Sequence, residues 1–139
     1  MTHATPLDKA AAARPLAAPF TEGLATGVLR FQRCTRCRHA QTLARYACQR
    51  CACDSLQWED ASGGATIRAA TVVSRAPSDE FRALAPYTLV IAQLDEGPRI
   101  MGHASAGMRI GQKALARFFE HDGRTLIRFE PAAPMQDDA

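Results

Sequence analysis

Four of the five cysteines form two C-x-x-C pairs, Cys34 with Cys37 and Cys48 with Cys51, with ten residues between the pairs. This spacing constrains the fold more than any other feature of the chain. A segment of roughly twenty residues cannot bury a core of its own, but each C-x-x-C turn brings two sulfurs within reach of one ion, and Zn²⁺ takes four thiolates tetrahedrally. A four-thiolate set leaves no open coordination position, so zinc held this way is structural: it supplies folding free energy, on the order of 10 kcal/mol, and no chemistry. A disulfide framework is the first alternative. It belongs to small secreted chains, and the apolar stretch Ala10 to Phe20 does not read as an export signal: Arg14 and Pro15 interrupt it, and Asp8 sits where such a signal is basic. It is also too short to span a membrane. The reading is therefore a cytoplasmic chain with reduced thiols. A redox C-x-x-C is the second alternative, but it calls for one reactive pair at a helix start rather than two pairs flanked by arginine and tyrosine. Cys53 exceeds the tetrahedral count and reads as a half-buried thiol at the edge of the ribbon, while His39 would be a ligand only if a cysteine were displaced.

With 139 residues, 47% of them hydrophobic and 22% charged, there is room for one modest core besides the ribbon. No transmembrane run, repeat or heptad is present. The net charge is only +3, yet Arg30, Arg33, Arg36, Arg38, Arg45 and Arg50 fall within a stretch that contains no acid. Such a cluster favours phosphate, on nucleic acid or on a phosphorylated cofactor, or is simply a solvated face.

The pattern along the chain is mainly β. Residues 1–18 read as a flexible leader, followed by a short helical segment with Thr21 as candidate cap and Gly27 as its end, and then by an alternating strand, Val28 to Gln32. After the ribbon, Ser62-Gly63-Gly64 turns into a β-branched run, Ile67 to Val73, and "PYTLVIAQL" and "RIMGHASA" are two strands joined by the turn Asp95 to Pro98. "RIGQKALARFFEHDG" fits both periods, but the strands on both sides favour a strand, Lys113 to Glu120, and "TLIRFEP" is the last strand. The expected organisation is a leader and helical segment over 1–32, a rubredoxin-like zinc ribbon over 33–56, a small antiparallel OB-fold barrel over 57–131 and a disordered tail over 132–139.

Taken together, "FTEGLATGVLRFQRCTRC", the second C-x-x-C with Ser55 and Trp58 after it, "SGGATIRAATVVSRAP", "PYTLVIAQLDEGPRIMGH" and "RIGQKALARFFE" resemble the zinc-ribbon, OB-fold acyl-CoA-associated family, small proteins that accompany thiolases. The resemblance runs from about Phe20 to Pro131. It departs where the family has glycine after the second cysteine and proline after the third, since Arg38 and Gln49 stand there.

This resemblance implies an accessory subunit, not an enzyme, in a hetero-oligomer with a thiolase-like or ketosynthase-like partner, acting as a docking and substrate-guiding surface for acyl-CoA. The residues agree with it. None of His3, His39, His103 and His121 has a nucleophile at a recognisable spacing, and no phosphate-binding glycine loop or carboxylate pair stands out. With CoA as the implied ligand class, Arg45, Arg50, Arg75 and Arg99 are the candidates to hold or steer its phosphates. Nucleic-acid binding is the competing reading, since a ribbon with an OB barrel is also that architecture, but aromatics are only 6% of the chain, and Thr66, Arg68, Ala70 and Val72 offer no stacking platform. A free-standing acyl-transfer enzyme would rest on Cys53 alone.

Overall fold

A computed structural model describes residues 15–133; residues 1–14 of the leader expected over 1–18 and residues 134–139 of the tail expected over 132–139 lie outside the described residues. Helix α1 (Ala18–Ala25) begins at the last residue of the stretch expected to be flexible, and its start differs from the sequence expectation. Thr21 lies inside the helix, where its N–H donates to Ala17 O at 3.1 Å, and no side chain caps Ala17. The physical reason is Pro19, whose fixed φ and missing N–H suit the first helical turn and draw the start towards it. Gly27, at φ 81°, ends the segment as expected. Phe20 and Leu24 pack from α1 against the barrel core.

The ribbon is a three-stranded antiparallel sheet of β1 (Arg30–Cys34), β2 (Ala40–Gln41) and β3 (Leu56–Asp60), in the order β2-β1-β3. Phe31 and Cys34 are fully buried, and the other interior residues of the sheet are two glutamines, Gln32 and Gln41, at 2% and 3% exposure. They form a polar core. Gln32 Oε1 accepts from Gln41 Nε2 and from the Arg45 amide, each at 3.0 Å, and Gln32 Nε2 donates to Arg45 O at 3.1 Å. Gln41 Oε1 accepts from the Gln49 amide at 3.0 Å. A loop too polar to be held by apolar contacts is thus pinned to the sheet by side-chain amides standing in for backbone partners.

The remaining strands are β4 (Gly64–Val73), β5 (Tyr87–Leu94), β6 (Arg99–Ala104), β7 (Lys113–His121) and β8 (Arg124–Pro131), with a single helical turn, α2 (Asp79–Arg82), between β4 and β5. They form a closed barrel in the order β4-β5-β6-β8-β7. The segment that fitted both periods is β7, and its period-two face wins because Ala114 and Ala116 point into the barrel while β4 and β8 pair on its two edges. One seam departs from the antiparallel expectation: β6 and β8 are parallel and pair only at His103↔Arg128 and Ala104↔Phe129. Inside lie Ile67, Val90, Ala92, Leu94, Ile127 and Phe129. Gly102 is required there, since a Cβ would stand 3.0 Å from the Phe129 ring. No helix among the described residues is long and apolar enough to cross a membrane.

Two stability measurements follow from the ribbon. Gln32→Leu removes three hydrogen bonds at once, to the Arg45 amide and carbonyl and to the buried Gln41 side chain, and is expected to cost about 3 kcal/mol in denaturant unfolding, whereas Gln57→Leu, exposed on β3, is expected to stay within about 0.5 kcal/mol. Arg38 and Ala52 each follow the second cysteine of a pair with positive φ, 68° and 67°. A non-glycine residue there costs about 1–2 kcal/mol, so Ala52→Gly and Arg38→Gly, which both keep the backbone bonds of their turns, are each expected to raise the melting temperature.

Candidate metal centre and adjoining clefts

Cys34 ends β1, Cys37 lies three residues on, and Cys48 and Cys51 occupy the matching turn before β3. The Sγ atoms of all four lie within 4.8 Å of one another, with Cys34 to Cys51 and Cys37 to Cys48 both at 3.6 Å. A regular tetrahedron with metal–sulfur bonds of about 2.3 Å has edges of about 3.8 Å, so the set fits one metal ion. The two turns are built alike. The amides of Arg36 and Cys37 donate to Cys34 Sγ, both at 3.4 Å. Those of Arg50 and Cys51 donate to Cys48 Sγ at 3.3 and 3.5 Å.

These amides govern the thiols. The Cys37 amide is the main cause that holds Cys34 down, to about 6, against its burial, with the Arg36 amide adding to it. Burial pushes Cys48 up, but the Cys51 and Arg50 amides outweigh it and leave that thiol below its ordinary value. Cys51 goes the other way: the Cys53 amide lowers it, yet burial and the three neighbouring thiols push it up to about 12. Four thiolates cannot coexist in this space without a compensating charge, and a divalent cation is what the donor set calls for.

Cys53 and His39 stand outside the four-thiol set. Cys53 Sγ accepts from the Ser55 amide at 3.3 Å, and its carbonyl accepts from the Cys48 amide at 2.8 Å. His39 contributes its main-chain carbonyl to the Cys34 amide at 2.9 Å.

The arginine cluster is less uniform in space than along the chain. Arg30 pairs with Asp60 at 3.1 Å and Arg33 with Glu59 at 2.9 Å, because β3 returns two acids against β1 from a position beyond the acid-free stretch. Hydrogen bonding from Arg33 lowers the Glu59 carboxyl. Of the four candidate phosphate ligands, all are exposed. With the Gln49 amide turned so that its oxygen faces the Arg45 guanidinium, that oxygen accepts from Nε and Nη2, each at 3.1 Å. Gln49 in turn lines a cleft of about 550 Å³ between ribbon and barrel, with His39, Met101 and Arg99. Thr42 Oγ1 donates to Arg99 O at 2.5 Å across the same seam. Arg99 therefore lines this cleft and Arg45 adjoins it through Gln49, whereas Arg50 is not among the lining residues. Arg75 is remote from it: it lies past the end of β4 that pairs with Tyr87, while Arg99 pairs with Gln93 at the other end of β5, roughly 20 Å away at the rise of a strand.

A larger cleft of about 760 Å³ went unread in the sequence. It opens where β6 and β8 diverge from their short parallel seam, and α1 and the ribbon loop at 42–44 wall it. Phe20, Leu24, Leu43, Ile100, Met101 and Leu126 make it apolar, and Arg124, paired with Glu80 at 2.6 Å, stands on its margin. His103 joins this lining and also packs among Tyr87, Phe119 and Phe81, with ring centroids 4.9, 5.5 and 6.0 Å away. Burial first, then the charges of Arg128 and His121, holds its pKa below the ordinary imidazole value.

Comparison with known proteins bears on the barrel above all. No curated protein matches the sequence. The fold is similar to that of a chain of the "Ltp2-ChsH2(DUF35) aldolase", with a TM-score of 0.73 and 24% identity, over 84% of this chain and 94% of that one. It is similar also to a DUF35-family protein of unknown function from Sulfolobus solfataricus, with a TM-score of 0.62 and 18% identity, over 85% of this chain and 86% of that one. Residues 58–119, which span β4 to β6 and most of β7 of the barrel, match the family model of the ChsH2 C-terminal OB-fold domain.

Proposed function

We propose that the chain is a non-catalytic accessory subunit, which docks on a thiolase-like or ketosynthase-like partner in a hetero-oligomer and helps to position acyl-CoA there. The observation that carries this reading is the match of residues 58–119 to the ChsH2 C-terminal OB-fold domain. It is supported by the fold likeness to a chain of the Ltp2-ChsH2(DUF35) aldolase. The ion held by Cys34, Cys37, Cys48 and Cys51 is zinc in this reading, since closed four-thiolate sites are typical of it. The metal would fix the two turns and hence the ribbon loop that faces the barrel; it would supply structure. Arg99 on the cleft between ribbon and barrel, with Arg45 and Arg50 of the ribbon, would meet the phosphates of CoA in this reading, and Arg75 is a separate candidate.

A second reading, nucleic-acid binding, draws on one observation: Tyr46 is 81% exposed between Arg45 and Arg50, an aromatic beside cations. A steep salt dependence in single-stranded oligonucleotide binding, lost in Tyr46→Ala, is what that reading requires.

Elemental analysis of protein purified without added metal is expected to give one zinc per chain, with Cys34→Ser losing the metal and the folded ribbon; iron, or a folded metal-free chain, would overturn the assignment. Co-expression with the thiolase-like protein encoded nearest to it is expected to yield a complex that survives gel filtration. In that complex, Arg50→Gln with Arg99→Gln is expected to raise KM for acyl-CoA roughly ten-fold, the effect of about 1.4 kcal/mol, without dissociation. Turnover of acyl-CoA by the chain alone would refute the accessory role.

A further inference from the structure

The closed barrel leaves part of one strand without a neighbour. β4 pairs with β7 only through Gly64, Ala65 and Thr66. The last backbone bonds on that side are at Ile67, whose N–H donates to Gln112 O at 2.9 Å and whose carbonyl accepts from the Gly111 amide at 2.7 Å. A bulge between Ile67 and Ala69 then redirects the strand, which continues to Val73 with β5 on its other side alone.

The outward-facing groups follow from alternation. Leu94 of β5 turns its N–H to Pro98 O, away from β4. Gln93, Ile91, Leu89 and Tyr87 therefore turn theirs towards β4, where their partners are Thr66, Ala69, Thr71 and Val73. The residues between, Ala70 and Val72, direct N–H and C=O outward, and no backbone bond to them from any third strand or loop exists among the described residues. Residues 68–72 are exposed on both faces of the strand, with Val72 at 64%, and Ile110 in the loop that bonds Ile67 is 71% exposed. Natural proteins blunt such edges with lysine, proline or inward charge. The stretch Ala69 to Val73 carries none of these.

Charge selects what fits. Arg68 and Arg75 bracket the free stretch and Arg109 lies in the adjoining loop; all three are exposed, and none forms an ion pair among the described residues. Two copies of this chain paired antiparallel through the stretch would bring Arg68 of one towards Arg75 of the other, and like charges so placed repel. An incoming strand with carboxylates at its ends meets opposite charge at both. We propose that the free edge of β4 is a strand-addition site for an extended segment of a partner protein, with small or β-branched residues in its middle and acidic residues flanking them. Backbone bonds to Ala70 and Val72 would give the affinity, and the arginines the choice of segment.

The inference does not depend on the partner being thiolase-like, and its test uses a peptide. The probe is the end-blocked peptide Glu-Val-Thr-Val-Thr-Glu, added to the full chain while amide exchange at Ala70 and Val72 is followed by NMR. Exchange at these two amides is expected to be fast in the free chain and to slow at least about ten-fold with saturating peptide, while a lysine-ended version binds at least about ten-fold more weakly. Val72→Pro removes an outward N–H that the barrel does not use and is expected to abolish binding with the fold intact. A peptide N-methylated at alternate amides tests the same bond from the other side. The proposal is overturned by an absence of change up to millimolar peptide, or by equal binding of the methylated peptide. It is overturned too by concentration-dependent protection without peptide, which would assign the edge to a second copy, or by slow exchange in the dilute free chain, which would mean that the chain's own residues cover it.

Discussion

Four sulfurs crowded within 4.8 Å set the terms for the ribbon. Burial and the three neighbouring thiols push Cys51 up to about 12 even as neighbouring amides pull Cys34 down to about 6, so the arrangement is stable in only two ways, largely protonated or around a cation. Everything between the pairs depends on which holds. The turn at Cys48 presents its loop to the Gln32 and Gln41 amides, and that loop meets the barrel through Thr42 at Arg99. A local charge problem is thereby coupled to the seam between the two halves of the chain.

The paired cysteines, the positions of the barrel strands and the choice of strand for Lys113 to His121 were all legible in the sequence, because each is a short-range pattern: a spacing of three, or a period of two bounded by turns. What was not legible is long-range. Gln32 and Gln41 look like surface residues until the loop that wraps them is known. Arg30 and Arg33 look unpaired because Asp60 and Glu59 arrive from β3, far along the chain. A hydrophobic alternation carries no strand direction, so it could not announce the parallel seam of β6 and β8 or the apolar cleft that opens where the two strands part. The start of α1 is a different kind of miss: Pro19 was present to be read, and its preference for a first turn outweighed the capping preference of Thr21.

The candidate site shows the same division. The four thiols are a local motif and the structure brings them together. The four arginines were chosen by their neighbours in sequence, and the fold puts Arg99 on the cleft between ribbon and barrel while sending Arg75 to the far end of β5. Proximity along a chain is a good guide to chelation, where two ligands share a turn, and a poor one to a charged surface, which strands from distant segments assemble.

The strand order has a consequence for how the chain is made. β8 is the last strand in the sequence and lies between β6 and β7 in the barrel, so on the ribosome the first four barrel strands emerge as an unclosed sheet with their apolar faces uncovered. The three ribbon strands, by contrast, are all synthesised by Asp60. At about 5–20 residues per second, the two halves of this small protein reach a foldable length several seconds apart, and the nascent barrel passes through that interval as the form most open to chaperones.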